Sequence, residues 1–150
     1  MQTNYQRTAE GLAACGKQPH NPEQTSTQIG CHLEEMREQL ECLRVSQDGW
    51  AAVLDRLIID LRYLSEAVKS GKITAHVPTH LRVGFLKELC DGKVTADGVG
   101  FLLGFNMDAA DAAVLDSNDA KLVDGKPLLS PGGKIQKPAG WKAPNLKDYT

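Results

Sequence analysis

The chain predicts an all-α fold, four packed helices followed by a long extended tail, on three observations. Apolar residues recur at alternating steps of four and three from Ile29 to Leu43 and again from Trp50 to Val68. No run alternates apolar and polar residues with the period of two that a half-buried strand needs. Only 5% of the residues are aromatic, so a core must come from Leu, Val, Ile and Ala, which suits helix packing. At 150 residues the chain is the size of one domain, taken here as 1–150, and can bury a sizeable core.

The elements follow in order. Residues 1–24 are polar, with Gly11, Gly16 and the His20-Asn21-Pro22 turn signal, and read as an irregular lead-in. From about Gln24 a helix carries the seam Ile29, Leu33, Met36, Leu40 and Leu43, and Ser46 to Gly49 breaks it. A second helix repeats the same steps through Trp50, Leu54, Leu57, Leu61, Leu64 and Val68, and Ser70-Gly71 closes it. Lys72 to Thr79 is a connector, with Thr79 as N-cap of a third helix. Leu81, Phe85, Leu86, Leu89, Cys90 and Val94 surround that third helix on almost every side, the pattern of a buried helix. Gly92, Gly98, Gly100 and Gly104 make its later part ambiguous, since each interior Gly costs about 1 kcal/mol relative to Ala. Asn106 to Leu122 reads as a fourth helix, and 123–150 as an extended Pro/Gly-rich tail.

Charge narrows the function classes. The net charge of −2 argues against a general nucleic-acid binder. It is unevenly placed: the segment from Lys121 to Thr150 holds six lysines against two aspartates, a local +4, and leaves −6 on the first 120 residues. A disordered basic tail and a lysine set facing an anion both account for it. Cys15, Cys31, Cys42 and Cys90 form no CxxC and have no His at zinc spacing. With no signal peptide and no apolar run near 18 residues, the expectation is a cytoplasmic protein without membrane partners.

One stretch points to chemistry. "HLEEMREQLE", residues 32–41, puts four glutamates on ten helical residues. A solvated acidic face is the ordinary explanation. Yet Cys31, Glu35, Glu38 and Cys42 share a stripe, and free Cys is among the most buried residue types, so a covered face holding carboxylates that need a cation is the alternative. Glu88 and Asp91 stand three apart on the apolar third helix, where paired acids also call for compensation. Glu34, Glu35, Glu38, Glu88 and Asp91 together make an oxygen-only donor set of the kind that hard cations such as Mg²⁺ and Mn²⁺ prefer.

Those residues carry a family resemblance. "EEMRE" (34–38) and "ELCD" (88–91) resemble the EExxE and ExxD signatures of the MazG-like superfamily of all-α nucleoside triphosphate pyrophosphohydrolases. That superfamily includes dimeric dUTPases, dCTPases and phosphoribosyl-ATP pyrophosphohydrolase. "GFNMDAADAAVLDSNDAKLVDGKPLLSPGGKIQKPAGWKAPNL" is similar to its C-terminal stretch, where a helix ending in SNxxK meets DGKP and a basic tail, and "QTSTQIGCHLEEMREQL" is similar to the entry to its first metal helix. The likeness spans about residues 20 to 147, in the style of small standalone members encoded by phages and mobile elements. Two departures stand out. Fifty residues separate Glu38 from Glu88, more than in compact members, which implies an extended or inserted hairpin at the second helix. Gly92 follows the second motif where relatives more often keep an apolar helix former.

The resemblance implies a four-to-five-helix bundle of the all-α NTP pyrophosphatase type. It implies that Glu34, Glu35, Glu38, Glu88 and Asp91 hold one or two Mg²⁺, with Mn²⁺ as a substitute, while Glu35 or Glu38 orients or deprotonates the attacking water. The reaction would be (d)NTP and water to (d)NMP and pyrophosphate, on dGTP or another purine deoxynucleotide, in control of the nucleotide pool. Asn118, Lys121, Lys126 and Trp141 would bind the substrate. The bland counterparts are a helix C-cap for Asn118, a solvated lysine for Lys126 and a tail-pinning role for Trp141. A homodimer or a dimer of dimers is implied, in the host cytoplasm for a phage-encoded chain. The alternatives are a non-catalytic helical oligomerisation or interaction module, or the same chemistry on dUTP, dCTP or phosphoribosyl-ATP.

Overall fold

The computed structural model describes residues 2–129 and 135–150, with the side chain of Asp48 outside that description. Lys134 and the "SPGG" stretch of the tail therefore lie outside the described residues. The architecture is mainly helical: α1 (Asn4–Ala14), α2 (Pro22–Glu41), α3 (Asp48–Lys69), α4 (Arg82–Leu103) and α5 (Met107–Asp119). Three short strands follow, β1 (Leu122–Val123), β2 (Lys126–Leu129) and β3 (Ile135–Gln136). By backbone proximity the chain falls into two compact units, Gln18–Thr79 and Met1–Lys17 with His80–Thr150.

The Gln18–Thr79 unit is a hairpin of α2 and α3. Asn21 caps α2, its side chain accepting from the Gln24 amide at 3.0 Å, and Pro22 takes the first helical position, where its missing N–H costs nothing. The helix thus starts two residues before the expected Gln24. α2 and α3 pack on each other, and Ser26, Gly30, Leu33 and Arg37 of α2 and Leu54, Ile58, Leu61, Ser65 and Val68 of α3 are among their buried or half-buried residues. Val68, 2% exposed, is the buried apolar centre of the hairpin; burial of a side chain of this size contributes about 1.5–3 kcal/mol. Ser65 closes beside it, with Oγ donating to the Arg62 carbonyl. Both helices are rotated from their apolar seams: Met36, Leu43, Trp50, Leu57 and Leu64 are exposed. The small residues Gly30 and Ser26 explain the rotation, because they let the α3 backbone approach more closely than a Leu-on-Leu seam would. Beyond α3 the chain turns back, and Ser26 Oγ accepts from the Ala75 amide at 2.9 Å.

In the second unit, α1 replaces the expected irregular lead-in. Thr3 and Gln6 form a reciprocal capping box, a signal legible in "TNYQ". α1 is tied to α5 by Asn4 Nδ2 donating to Asp111 at 2.9 Å and by Arg7 paired with Asp116 and Asp119. α4 begins with a 3₁₀ turn at Thr79–Leu81 instead of a Thr79 cap, then runs unbroken through its glycines to Gly104, which ends it at φ 79°. The expectation of a buried helix is not met: along α4 only Gly100 is buried, against the side chain of Met107 at the start of α5. Val83, Phe101 and Leu102 are 84%, 80% and 83% exposed.

The tail also departs from the expected extended coil. Asp124 and Gly125, at φ 51° and 72°, form the two-residue turn that joins β1 to β2, with Val123 opposite Lys126 and Leu122 opposite Pro127. β3 pairs antiparallel with β2 through Leu128–Gln136 and Leu129–Ile135, giving the order β1-β2-β3. Among the described residues no single helix is long and apolar enough to cross a membrane; Thr79–Leu103 and Met107–Asp119 reach that hydropathy only as a pair bent by 118°.

Candidate functional site

The EExxE residues lie on α2, whose helical repeat sets Glu34 and Glu38 one turn apart on the same side and Glu35 next to them. Their surroundings differ. Glu34 is half-buried and its Oε1 accepts from Lys69 Nζ, which reaches across from α3. Glu38 is exposed and accepts from Arg37 at 2.8 Å. The Glu35 side chain is exposed, with no hydrogen bond or ion pair among the described residues. Cys42, Glu35 and Glu38 are exposed, so the covered Cys/Glu stripe expected from the sequence is absent from the hairpin; the rotation of α2 onto Gly30 turns that stripe outward.

Arg37 is the basic centre of this face. Its side chain is 13% exposed and its guanidinium pairs with Glu38 and Glu41, and Glu41 also accepts from Arg62 of α3 at 3.0 Å. Hydrogen bonds from Arg37 and then Arg62 hold the Glu41 carboxyl below the usual carboxylate range, and the bond to Glu41 raises Arg37 in turn. Glu41 is thus a structural carboxylate, set apart from the three before it.

On α4, Glu88 and Asp91 share one cation: Lys87 Nζ pairs with Glu88 at 3.2 Å and with Asp91 one turn on. Both acids are exposed, and the two bonds raise the Lys87 pKa, Asp91 contributing the larger part. The acids therefore form two helical half-sets, one on α2 and one on α4. Among the described residues no group of three or more His, Cys, Asp and Glu is drawn together as a metal site. The donor chemistry still fits a hard cation, since all five are carboxylates and each half-set presents two of them on one side of its helix.

The SNxxK residues meet the tail. Asn118 lies inside the last turn of α5, where Ala120 is the cap, and its Oδ1 accepts from Lys121 Nζ at 2.8 Å. Trp141 Nε1 donates to the Ser117 carbonyl at 2.8 Å, and Ser117 Oγ donates back to the Lys142 carbonyl at 3.2 Å. The indole ring thereby pins the tail to α5 while two ammonium groups stand over it, Lys137 at 4.1 Å and Lys121 at 5.6 Å from its centroid. Asn118, Lys121 and Trp141 are brought together, with Lys137 as a member that sequence reasoning missed. Lys126, exposed on β2, makes no ion pair among the described residues. Lys69 and Gly30 were also missed, since nothing in a linear reading joins positions so far apart.

No protein-family model, curated protein or solved structure compared with the chain matches it.

Proposed function

We propose that the protein is a Mg²⁺-dependent nucleoside triphosphate pyrophosphohydrolase, releasing pyrophosphate and a nucleoside monophosphate from a (d)NTP, with dGTP or another purine deoxynucleotide foremost. The observation that carries the reading is the presence of an EExxE set on α2 and an ExxD set on α4 in a mainly helical chain. Glu34, Glu35, Glu38, Glu88 and Asp91 would hold one or two Mg²⁺, and Mn²⁺ would substitute. A metal bound there supplies charge neutralisation for the phosphates and acidity for water. Glu35, with no counter-ion among the described residues, is the carboxylate best placed to take a proton from the attacking water, and Glu38 is its neighbour in that role. Lys121 and Lys126 would meet the triphosphate as point charges. Because Trp141 already holds the tail through its N–H, it serves the substrate by fixing Asn118, Lys121 and Lys137 in one place.

The exposed apolar surface of α4 supports a working homodimer or dimer of dimers, and it equally favours the second reading, a non-catalytic helical interaction module. Pyrophosphate release from a panel of eight NTPs and dNTPs, with Mg²⁺ and with EDTA, separates them. The expected result is metal-dependent release on a subset of the panel, lost by 10²-fold or more in Glu38→Ala, of the order that removal of an acid–base group produces. Release of nothing from any nucleotide would leave the interaction module. With dUTP and phosphoribosyl-ATP tested beside the panel, release from dUTP, dCTP or phosphoribosyl-ATP alone would keep the chemistry and change the substrate.

A further inference from the structure

We propose that Lys69 is a resident counter-cation of the α2 carboxylates, occupying Glu34 until a divalent cation displaces it; this rests on the reading of Glu34 as a metal ligand. Lys69 differs from the other cations near the candidate ligands. Arg37 and Lys87 each sit on the same helix as the acids they pair with, whereas Lys69 comes from α3, 35 residues from Glu34. Its route is built into the packing. The Lys69 stem crosses α2 at Gly30, where a Cβ would stand 2.8 Å from Lys69 Cγ and 3.0 Å from its backbone nitrogen. Only a glycine leaves room for the chain to lie flat there and deliver the ammonium to the carboxylate one turn further along.

The pair is also the more sheltered one: the Lys69 and Glu34 side chains are 27% and 34% exposed, against 66% and 70% for Lys87 and Glu88. An ammonium and a metal ion compete for the one negative charge of Glu34, so a metal taking Oε1 weakens the pair and then faces both Lys69 and the neighbouring Arg37, whose guanidinium feels the Glu34 charge. The free protein therefore holds a divalent cation weakly. Once displaced, the ammonium remains tethered over Gly30 beside the cation, where the group that can accept it is an anion arriving with the metal. A polyphosphate supplies that anion, so metal and triphosphate bind as a couple, each raising the affinity for the other.

Mn²⁺ titration of the nucleotide-free protein, followed by the loss of the free-ion electron paramagnetic resonance signal, tests this without any turnover. Lys69→Gln is expected to bind Mn²⁺ on the order of tenfold more tightly than wild type, as removal of one nearby positive charge at intermediate dielectric implies. Lys72→Gln, which removes an exposed charge shortly after α3, is the control for general electrostatics and is expected to match wild type. Unchanged affinity in Lys69→Gln overturns the displacement. Weaker affinity overturns it too, and makes Lys69 a strut that orders Glu34. No Mn²⁺ binding by any of the three proteins sinks the metal-ligand reading of Glu34 along with it.

Discussion

A methyl group added at Gly30 would stand 2.8 Å from Lys69 Cγ, 3.0 Å from the Lys69 backbone nitrogen and 3.1 Å from Val68 Cγ1. One of those neighbours is backbone and another belongs to the most buried apolar residue of the hairpin, so the helices must separate to admit it. Gly100 offers a contrast, because its added Cβ would meet only the side chain of Met107, which is flexible enough to swing away. Gly30→Ala is accordingly expected to destabilise the protein by about 1–3 kcal/mol, the range for overpacking, despite alanine's better helix propensity. Chemical denaturation measures it, and a gain in stability would show that α2 and α3 are not held this closely. The position was not legible in the sequence: "TQIGCHL" gives Gly30 as a weak spot in a helix, and the partner that makes it necessary stands 39 residues further on.

At the scale of elements, the helices that sequence reading found are those whose apolar steps run long, α2, α3 and α4, together with Ala-rich α5. It missed α1, because Gly11 was weighed as a breaker above the Thr3–Gln6 capping box that starts the helix. It missed β1 and β2, although Asp124-Gly125 is a hairpin signal, because strands of two and four residues are too short to show alternation. It placed the helix-packing seams only in part: Leu33, Leu54, Leu61 and Val68 are covered while Met36, Leu57 and Leu64 are exposed, since apolar periodicity counts side chains and cannot see where small ones let backbones close in. The α2–α3 hairpin is consequently held partly by charge. Glu41 has a lower pKa in the folded hairpin than in the unfolded chain, so folding disfavours its proton. Its contribution is complete above the ordinary glutamate value of about 4.3 and fades as the pH falls through the lower, folded-state value. Acid titrations of stability are expected to show a smaller loss below about pH 4.3 in Glu41→Gln than in wild type. An identical slope in the two proteins would mean that the Arg37–Glu41–Arg62 cluster contributes nothing to the acid response.

At the scale of the molecule, the surface of α4 sets the question. A helix with Val83, Val94, Phe101 and Leu102 at 84%, 70%, 80% and 83% exposure presents apolar groups on several sides, where soluble monomers keep such patches small. The overall mean hydropathy of −0.32 is ordinary, so the exposure comes from where the apolar residues are placed, most strongly on this helix, and not from the composition at large. The sequence was right that α4 is apolar on almost every side; what it could not supply is which surface covers those sides. A second copy of the chain is the occupant the proposed function implies, and it gives the apolar residues a use that no activity measurement would reveal. Light scattering on the purified protein is expected to give a multiple of 16.3 kDa, with a melting temperature that rises with protein concentration. Leu102→Lys, which puts a charge on that surface, is expected to shift the population toward the monomer. A single species of 16.3 kDa at every concentration would instead mean that α4 is covered from within the chain, and the homodimer would have to be given up.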